Sequence, residues 1–210
     1  MLIKTLPLGH LMANCHIVIN EDSLECAVID PGEESNTILD CLEINHLKCK
    51  GILLTHGHFD HVGASIPLAE ETGAPVYMNR KDVGCNLCLG IEEQLIPQDF
   101  IHYDEGDVVE CAGFSFRVHA TPGHTDGGVC LECEDVIFTG DTLFRESIGR
   151  TDLPGGDYSW IMRSIIDNLL PLGDEVKIYP GHGEESTIGH ESMYNPFVVE
   201  VLNQEVNYKN

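Results

Sequence analysis

The 210-residue sequence predicts an α/β protein in which two strand-rich halves stack as an αβ/βα sandwich. Three observations carry this. Short apolar runs rich in β-branched residues are bounded by Gly, Pro, Asn or Asp. Stretches with helical periodicity lie between them, and a second strand-rich stretch begins after residue 101. No repeat of solenoid period and no low-complexity linker interrupts the chain, so residues 1–210 read as a single domain.

The first strands are expected at 16–19 and 26–29, runs too short for helices. A helix follows over about 35–46, then a strand at 51–54 and a helix at 66–72. Residues 84–100 have weaker periodicity and read as a loop with a short helix. Strands at 114–118 and 135–139 build the second half, with a further strand in Gly128-Val129-Cys130-Leu131-Glu132-Cys133. Over 158–170, Trp160, Ile161, Ile165, Leu169 and Leu170 form one apolar face behind a cap at Asp157, and Pro171 and Gly173 end the helix. A last helix is expected near 190–206.

The composition excludes several classes of function. The chain has 42% hydrophobic residues, enough apolar surface to offset the entropy of ordering a backbone, which argues against disorder. With 11 Lys+Arg against 35 Asp+Glu, the formal charge is −24, so phosphate polymers and anionic membranes are repelled. There is no apolar run of about 18 residues to span a membrane. Pro7, Gly9 and His10 break the apolar core that an export signal needs, and Met12-Ala13-Asn14-Cys15 is a chance likeness to a lipoprotein box. The cysteines are odd in number, at 15, 26, 41, 49, 85, 88, 111, 130 and 133, and read as reduced thiols of a cytoplasmic protein. Cys85/Cys88 and Cys130/Cys133 have zinc-site spacing. Residues three apart on a strand face opposite ways, however, so Cys130 and Cys133 are read as buried small hydrophobes.

The chemistry concentrates in Thr55-His56-Gly57-His58-Phe59-Asp60-His61, which follows the apolar strand at 51–54. Packing needs no such density of imidazole and carboxylate. On an extended stretch His56 and His58 share one side and can reach one metal ion, Gly57 lets the backbone bend, and Asp60 and His61 are offset toward a second. Three more candidates sit beside glycine after apparent strands: His124 in Pro122-Gly123-His124-Thr125, Asp141 in Gly140-Asp141-Thr142, and His182 in Gly181-His182-Gly183. Rigid scaffolds present reactive groups on such loops. Of the remaining histidines, His10, His46, His102, His119 and His190 are read as surface or strand residues, and His16 is open to a supporting role behind the ligands.

In this order the motifs resemble the metallo-β-lactamase superfamily, and within it the short glyoxalase II-like hydrolases. The resemblance extends to Asp30-Pro31-Gly32, Ser147-Ile148-Gly149-Arg150-Thr151-Asp152, Thr187-Ile188-Gly189 and Asn195-Pro196. It implies a four-layer αββα sandwich with the site at one edge of the paired sheets. One ion would take His56, His58 and His124, the other Asp60, His61 and His182, and Asp141 would bridge them, with Asp60 and Asp141 as the catalytic carboxylates. Long glyoxalase II enzymes have histidine at the place of Gly57 and a C-terminal helical domain with basic residues for glutathione. Here Lys209 is the last basic residue, which leaves another low-molecular-weight thiol open as carrier. Arg150, nine residues beyond Asp141, stands where the long enzymes put a substrate-binding lysine and is expected to contact an anionic carrier; the alternative is a pair with Asp152.

Two adjacent divalent ions stabilise a bridging hydroxide and polarise a carbonyl. Mixed nitrogen and oxygen ligands suit zinc first, with iron or manganese open. A small acyl thioester is the expected substrate, because a thiolate with a pKa near 8.5 leaves without a general acid. The rivals are a lactonase and a mononuclear-iron persulfide dioxygenase. An exported β-lactamase, a ribonuclease or a scaffold that has lost its ligands fits less well.

Overall fold

The structure, a computed structural model, describes residues 1–85 and 95–208. Strands β1 (Leu2–Leu8), β2 (Ala13–Asn20), β3 (Glu25–Ile29), β4 (Lys48–Leu54), β5 (Val76–Met78) and β6 (Ile101–His102) form one six-stranded sheet in chain order. The second sheet runs β14-β13-β10-β9-β8-β7, built from β7 (Val108–Cys111), β8 (Phe114–Ala120), β9 (Val129–Cys133), β10 (Val136–Gly140), β13 (Lys177–Pro180) and β14 (Ser186–Thr187). A small hairpin of β11 (Leu143–Phe144) and β12 (Ser147–Ile148) leaves the second sheet after Asp141. Each sheet is mixed: β3, β4, β5 and β6 are parallel neighbours, as are β10 and β13, and the other pairs are antiparallel.

Alternation along the strands makes four layers. On β4, Ile52 and Leu54 turn toward helices α1 (Ser35–Ile44) and α3 (Ser65–Thr72), where Ile38, Leu42 and Leu68 meet them. Leu53, between those two, faces the other sheet and joins Val18, Ile29, Phe116, Val118, Leu131 and Phe138. The outer face of the second sheet, with Cys130, Ile137 and Ile178, is covered by Ile161, Ile165, Leu169, Ile188 and Val198. The three cores are the three interfaces of the expected αββα sandwich. Each large side chain in them contributes about 1.5–3 kcal/mol by leaving water.

The helix expected over 158–170 starts as α4 (Tyr158–Arg163), capped by Asp157, whose side chain accepts from Trp160 N at 2.9 Å. It continues as a π-helical stretch over Ser164–Leu169 and a 3-10 turn over Leu170–Leu172. Trp160 does not join the apolar face. It is 54% exposed with Arg163 stacked over its ring, because the buried stripe runs Ile161, Ile165, Leu169. The last expected helix is two, α5 (Ile188–Tyr194) and α6 (Pro196–Tyr208), since a residue before proline is pushed to extended backbone and Asn195 has ψ 116°. Strand β1 has few buried positions and includes Pro7, which kept it hidden from an apolar-pattern reading. No described helix is long and apolar enough to cross a membrane.

Cys130 and Cys133 lie in different cores, on opposite faces of β9. Burial pushes both thiols up to about 12. Cys85 is half-buried, while Cys88 and most of the 84–100 segment fall outside the described residues, as does Lys209.

Candidate metal centre

Four strand ends deliver the site. β4 runs into Thr55–His58 and the short helix α2 (Phe59–Val62), β8 into the loop carrying His124, β10 into Asp141, and β13 into His182. The two pairs that bear most of this, β3–β4 and β10–β13, are parallel, so their carboxyl ends open at one edge.

The ligand atoms of His56, His58 and His124 lie within 4.8 Å of one another, and so do those of Asp60, His61 and His182. Asp141 sits between the groups. Its Oδ1 is 3.3 Å from His61 Nε2, and its Oδ2 is 3.5 Å from His124 Nε2 and 3.6 Å from His182 Nε2. Asp60 Oδ2 is 3.3 Å from His182 Nε2 and 3.6 Å from His61 Nε2. All seven expected ligands are thus brought together.

Hydrogen bonds from behind set the imidazole tautomers. The Thr55 hydroxyl donates to Asp30 Oδ2 at 2.6 Å, so it accepts from His56 Nδ1 at 3.1 Å and leaves Nε2 bare. His124 Nδ1 donates to the Arg150 carbonyl at 2.8 Å, which bares its Nε2 in the same way. His61 Nδ1 donates to Asp30 Oδ2 at 3.0 Å. Backing of this kind orients metal-bound histidines generally.

In the sequence Asp30 stands out only as part of Asp30-Pro31-Gly32, and the structure gives it a post. Its φ of 51° holds the backbone in the left-handed region, and its carboxylate also accepts from Thr55 N at 2.7 Å. Asp30 also lies near His56 and His61, but these hydrogen bonds occupy its oxygens and make it their orienter. Asp82 was not anticipated. Buried, it accepts from Gly57 N (3.1 Å), the Thr125 hydroxyl (2.6 Å) and Gly127 N (2.6 Å), tying the His56–His58 loop to the His124 loop. Burial pushes its carboxyl up, against the pull of those donors.

The electrostatics call for cations. Among the described residues, His56 Nε2 and Asp141 Oδ1 are buried with no hydrogen-bond partner, and His58 Nδ1 faces the bared His124 Nε2 at 2.9 Å. Burial and neighbouring imidazoles hold His56 well below the usual histidine range. Burial and then His124 lower His58 to about 4. Burial also opposes charge on His61, yet Asp141, Asp30 and Asp60 outweigh it and raise that imidazole to about 9. Asp60, despite burial, is held at about 2 by the His182 hydrogen bond and His61. Neutral imidazoles aimed at one point, and ionised carboxylates that favour a positive charge on His61 at another, are what divalent ions would satisfy. The residues therefore fit metal ions.

Two glycines make the cradle possible. A Cβ on Gly181 would stand 2.3 Å from Asp141 Oδ1 and 2.7 Å from His61 Cε1. One on Gly57 would meet Asp82 O at 2.5 Å, and Cys85 Sγ and Met78 Cε at 2.8 Å, so the histidine of the long enzymes has no room here.

The Arg150 guanidinium forms a two-pronged pair with Asp152, 2.8 Å at each contact, and its side chain is 60% exposed. His16 is buried; its Nε2 donates to Pro180 O at 3.1 Å and its Nδ1 accepts from the Thr5 hydroxyl at 3.0 Å. His10, His46 and His102 are exposed, and His119 and His190 pair with Glu132 and Glu146.

Comparison with known proteins agrees with this geometry. The family model for the metallo-beta-lactamase superfamily matches residues 8–182. The hydroxyacylglutathione hydrolase GloC of Haemophilus influenzae is 38% identical over 93% of this chain and 97% of its own length. Among solved structures, the BLEG-1 B3 metallo-beta-lactamase is 35% identical, with TM-score 0.87 over 94% of this chain and 99% of its own. TTHA1623, solved in a di-iron-bound form, is 36% identical, with TM-score 0.82 over 92% of this chain and 99% of its own. On its fold, its strand-end ligand loops and these matches, the chain belongs to the metallo-beta-lactamase superfamily.

Proposed function

We propose that the protein is a binuclear metal-dependent hydrolase of a small acyl thioester, of the glyoxalase II type. The observation that carries this is the pair of donor groups, His56/His58/His124 and Asp60/His61/His182, with the Asp141 carboxylate between them. The name of the GloC relative supports a hydroxyacyl thioester as the substrate class. Zinc is the first choice of metal on the ligand set, and the di-iron form of TTHA1623 keeps iron beside it, with manganese also open.

Two divalent ions bound there would lower the pKa of a water and polarise the substrate carbonyl. The chain's own part is to orient the imidazoles through Thr55, Asp30 and the Arg150 carbonyl, and to hold the two ligand loops together through Asp82. The leaving thiolate needs no proton at neutral pH, which matches a centre whose polar groups are taken up as ligands or their supports. Arg150 is the proposed contact for an anionic carrier. Its pair with Asp152 is exposed, and such pairs are weak enough for a substrate carboxylate to displace. We place the activity in one domain, acting on a small molecule in the cytoplasm; the described cysteines, all free thiols, accord with a reducing compartment.

The test is thiol release from S-lactoylglutathione and other acyl thioesters by the metal-replete protein, with lactones and a β-lactam on the same panel because BLEG-1 is named a β-lactamase. Thioester turnover that disappears on chelation and returns with metal is expected. Lactone opening, β-lactam opening or oxygen uptake without thiol release would overturn the assignment.

A further inference from the structure

The five histidine ligands are not equally supported. His56, His61 and His124 each have their rear ring nitrogen fixed by Thr55, Asp30 and the Arg150 carbonyl. His182 has no such hydrogen bond among the described residues, and its side chain is 27% exposed against 0–5% for His61 and His124. Its aim therefore rests on its backbone, in the five-residue loop 181–185 between β13 and β14.

Asn14 of β2 holds that loop from the other sheet at three points. The Asn14 amide donates to Pro180 O at 2.9 Å and to Gly183 O at 3.0 Å, while Asn14 N donates to Gly181 O at 2.7 Å. The carbonyls on both sides of His182 are thereby tied to a side chain only 3% exposed. Ala13 forms a bridge with His182 itself, and Gly181 N donates to Gly140 O, so the loop also keeps its distance to Asp141. Both amide hydrogens of Asn14 are used, so no shorter or acceptor-only side chain reproduces the pattern.

We propose that Asn14 is a positioning residue that sets the affinity of the ion held by Asp60, His61 and His182, leaving the ion at His56, His58 and His124 little affected. This rests on the two-ion reading above. Among the described residues Asn14 makes no hydrogen bond to the first group, which is braced by Asp82 and Arg150 O instead. The inference makes the two ions separable: one is governed by contacts around the His58 and His124 loops, the other by a strand of the opposite sheet.

The experiment is zinc titration of the metal-free full chain against a chromophoric chelator, in the parent, Asn14→Ala and Asn14→Gln. The parent should bind two ions. In Asn14→Ala the affinity of one ion should fall roughly ten- to a hundredfold, the range for loss of a group that orients a ligand, while the other stays within about twofold. Asn14→Gln keeps the amide and should recover part of the loss. The melting temperature of each metal-free variant reports whether the chain folds, and if Asn14→Ala does not, the Asn14→Gln and His16→Gln titrations decide, the latter removing the other donor geometry at Pro180 O. Two unchanged affinities, or an equal fall in both, would overturn the role of Asn14. A parent that binds a single ion would remove the two-ion reading, and this inference with it.

Discussion

His61 Nδ1 donates to Asp30 Oδ2 at 3.0 Å, and both residues are buried. The bond spans 31 residues and points the other nitrogen of His61 at Asp60, Asp141 and His182. Asp30→Asn keeps the shape but loses the charge and turns one donor toward Thr55 or His61. Zinc affinity should fall roughly ten- to a hundredfold. Competition titration checks this, and an unchanged affinity would remove Asp30 as the orienter.

Arg150 has two parts with different work. Its carbonyl accepts from His124 whatever the side chain, so Arg150→Ala should leave metal content intact. Its guanidinium is proposed to meet the carrier, and without it kcat/KM for an anionic thioester should fall roughly ten- to a hundredfold, with a neutral thioester less affected. A lowered melting temperature with normal kinetics would instead assign the side chain to its pair with Asp152.

His16 predicts a pH dependence. Burial lowers its pKa from 6.5 to about 4, against the hydrogen bond to Pro180 O. The folded protein thus keeps it neutral where the unfolded chain takes up a proton. The contribution to stability is complete above pH 6.5 and is lost as pH falls toward 4, up to about 3 kcal/mol. Denaturation of the metal-free protein from pH 7.5 to 4.5 should show a shallower decline in His16→Gln than in the parent. Equal slopes would mean that His16 does not titrate in this way.

Much of the fold was legible because its signals are local. The runs at 16–19, 26–29, 51–54, 114–118 and 135–139 all lie within strands β2, β3, β4, β8 and β10, apart from Asp135, which precedes β10. The ligand candidates were legible for the same reason: His56, His58, His124, Asp141 and His182 each adjoin a glycine where a strand ends, and Asp60 and His61 follow His58 at once in α2. What supports them was not. Asp82 reaches its partners across 25, 43 and 45 residues, and Asn14 across 166 and 169, and nothing beside either residue marks it. His16 is a partial exception, since the sequence leaves it open to a supporting role behind the ligands. The edge strand β1 escaped because few of its side chains are buried, and the α5–α6 break because one proline interrupts a continuous apolar pattern.

The Asp141 oxygens lie 3.3–3.6 Å from nitrogens of both donor groups, where the carboxylate would bridge two ions. Elemental analysis of metal-replete protein and of Asp141→Asn decides whether it does. About two ions per chain are predicted for the parent, with loss of metal and of turnover in the variant. One ion per chain in the parent, or two ions and full turnover in Asp141→Asn, would contradict it.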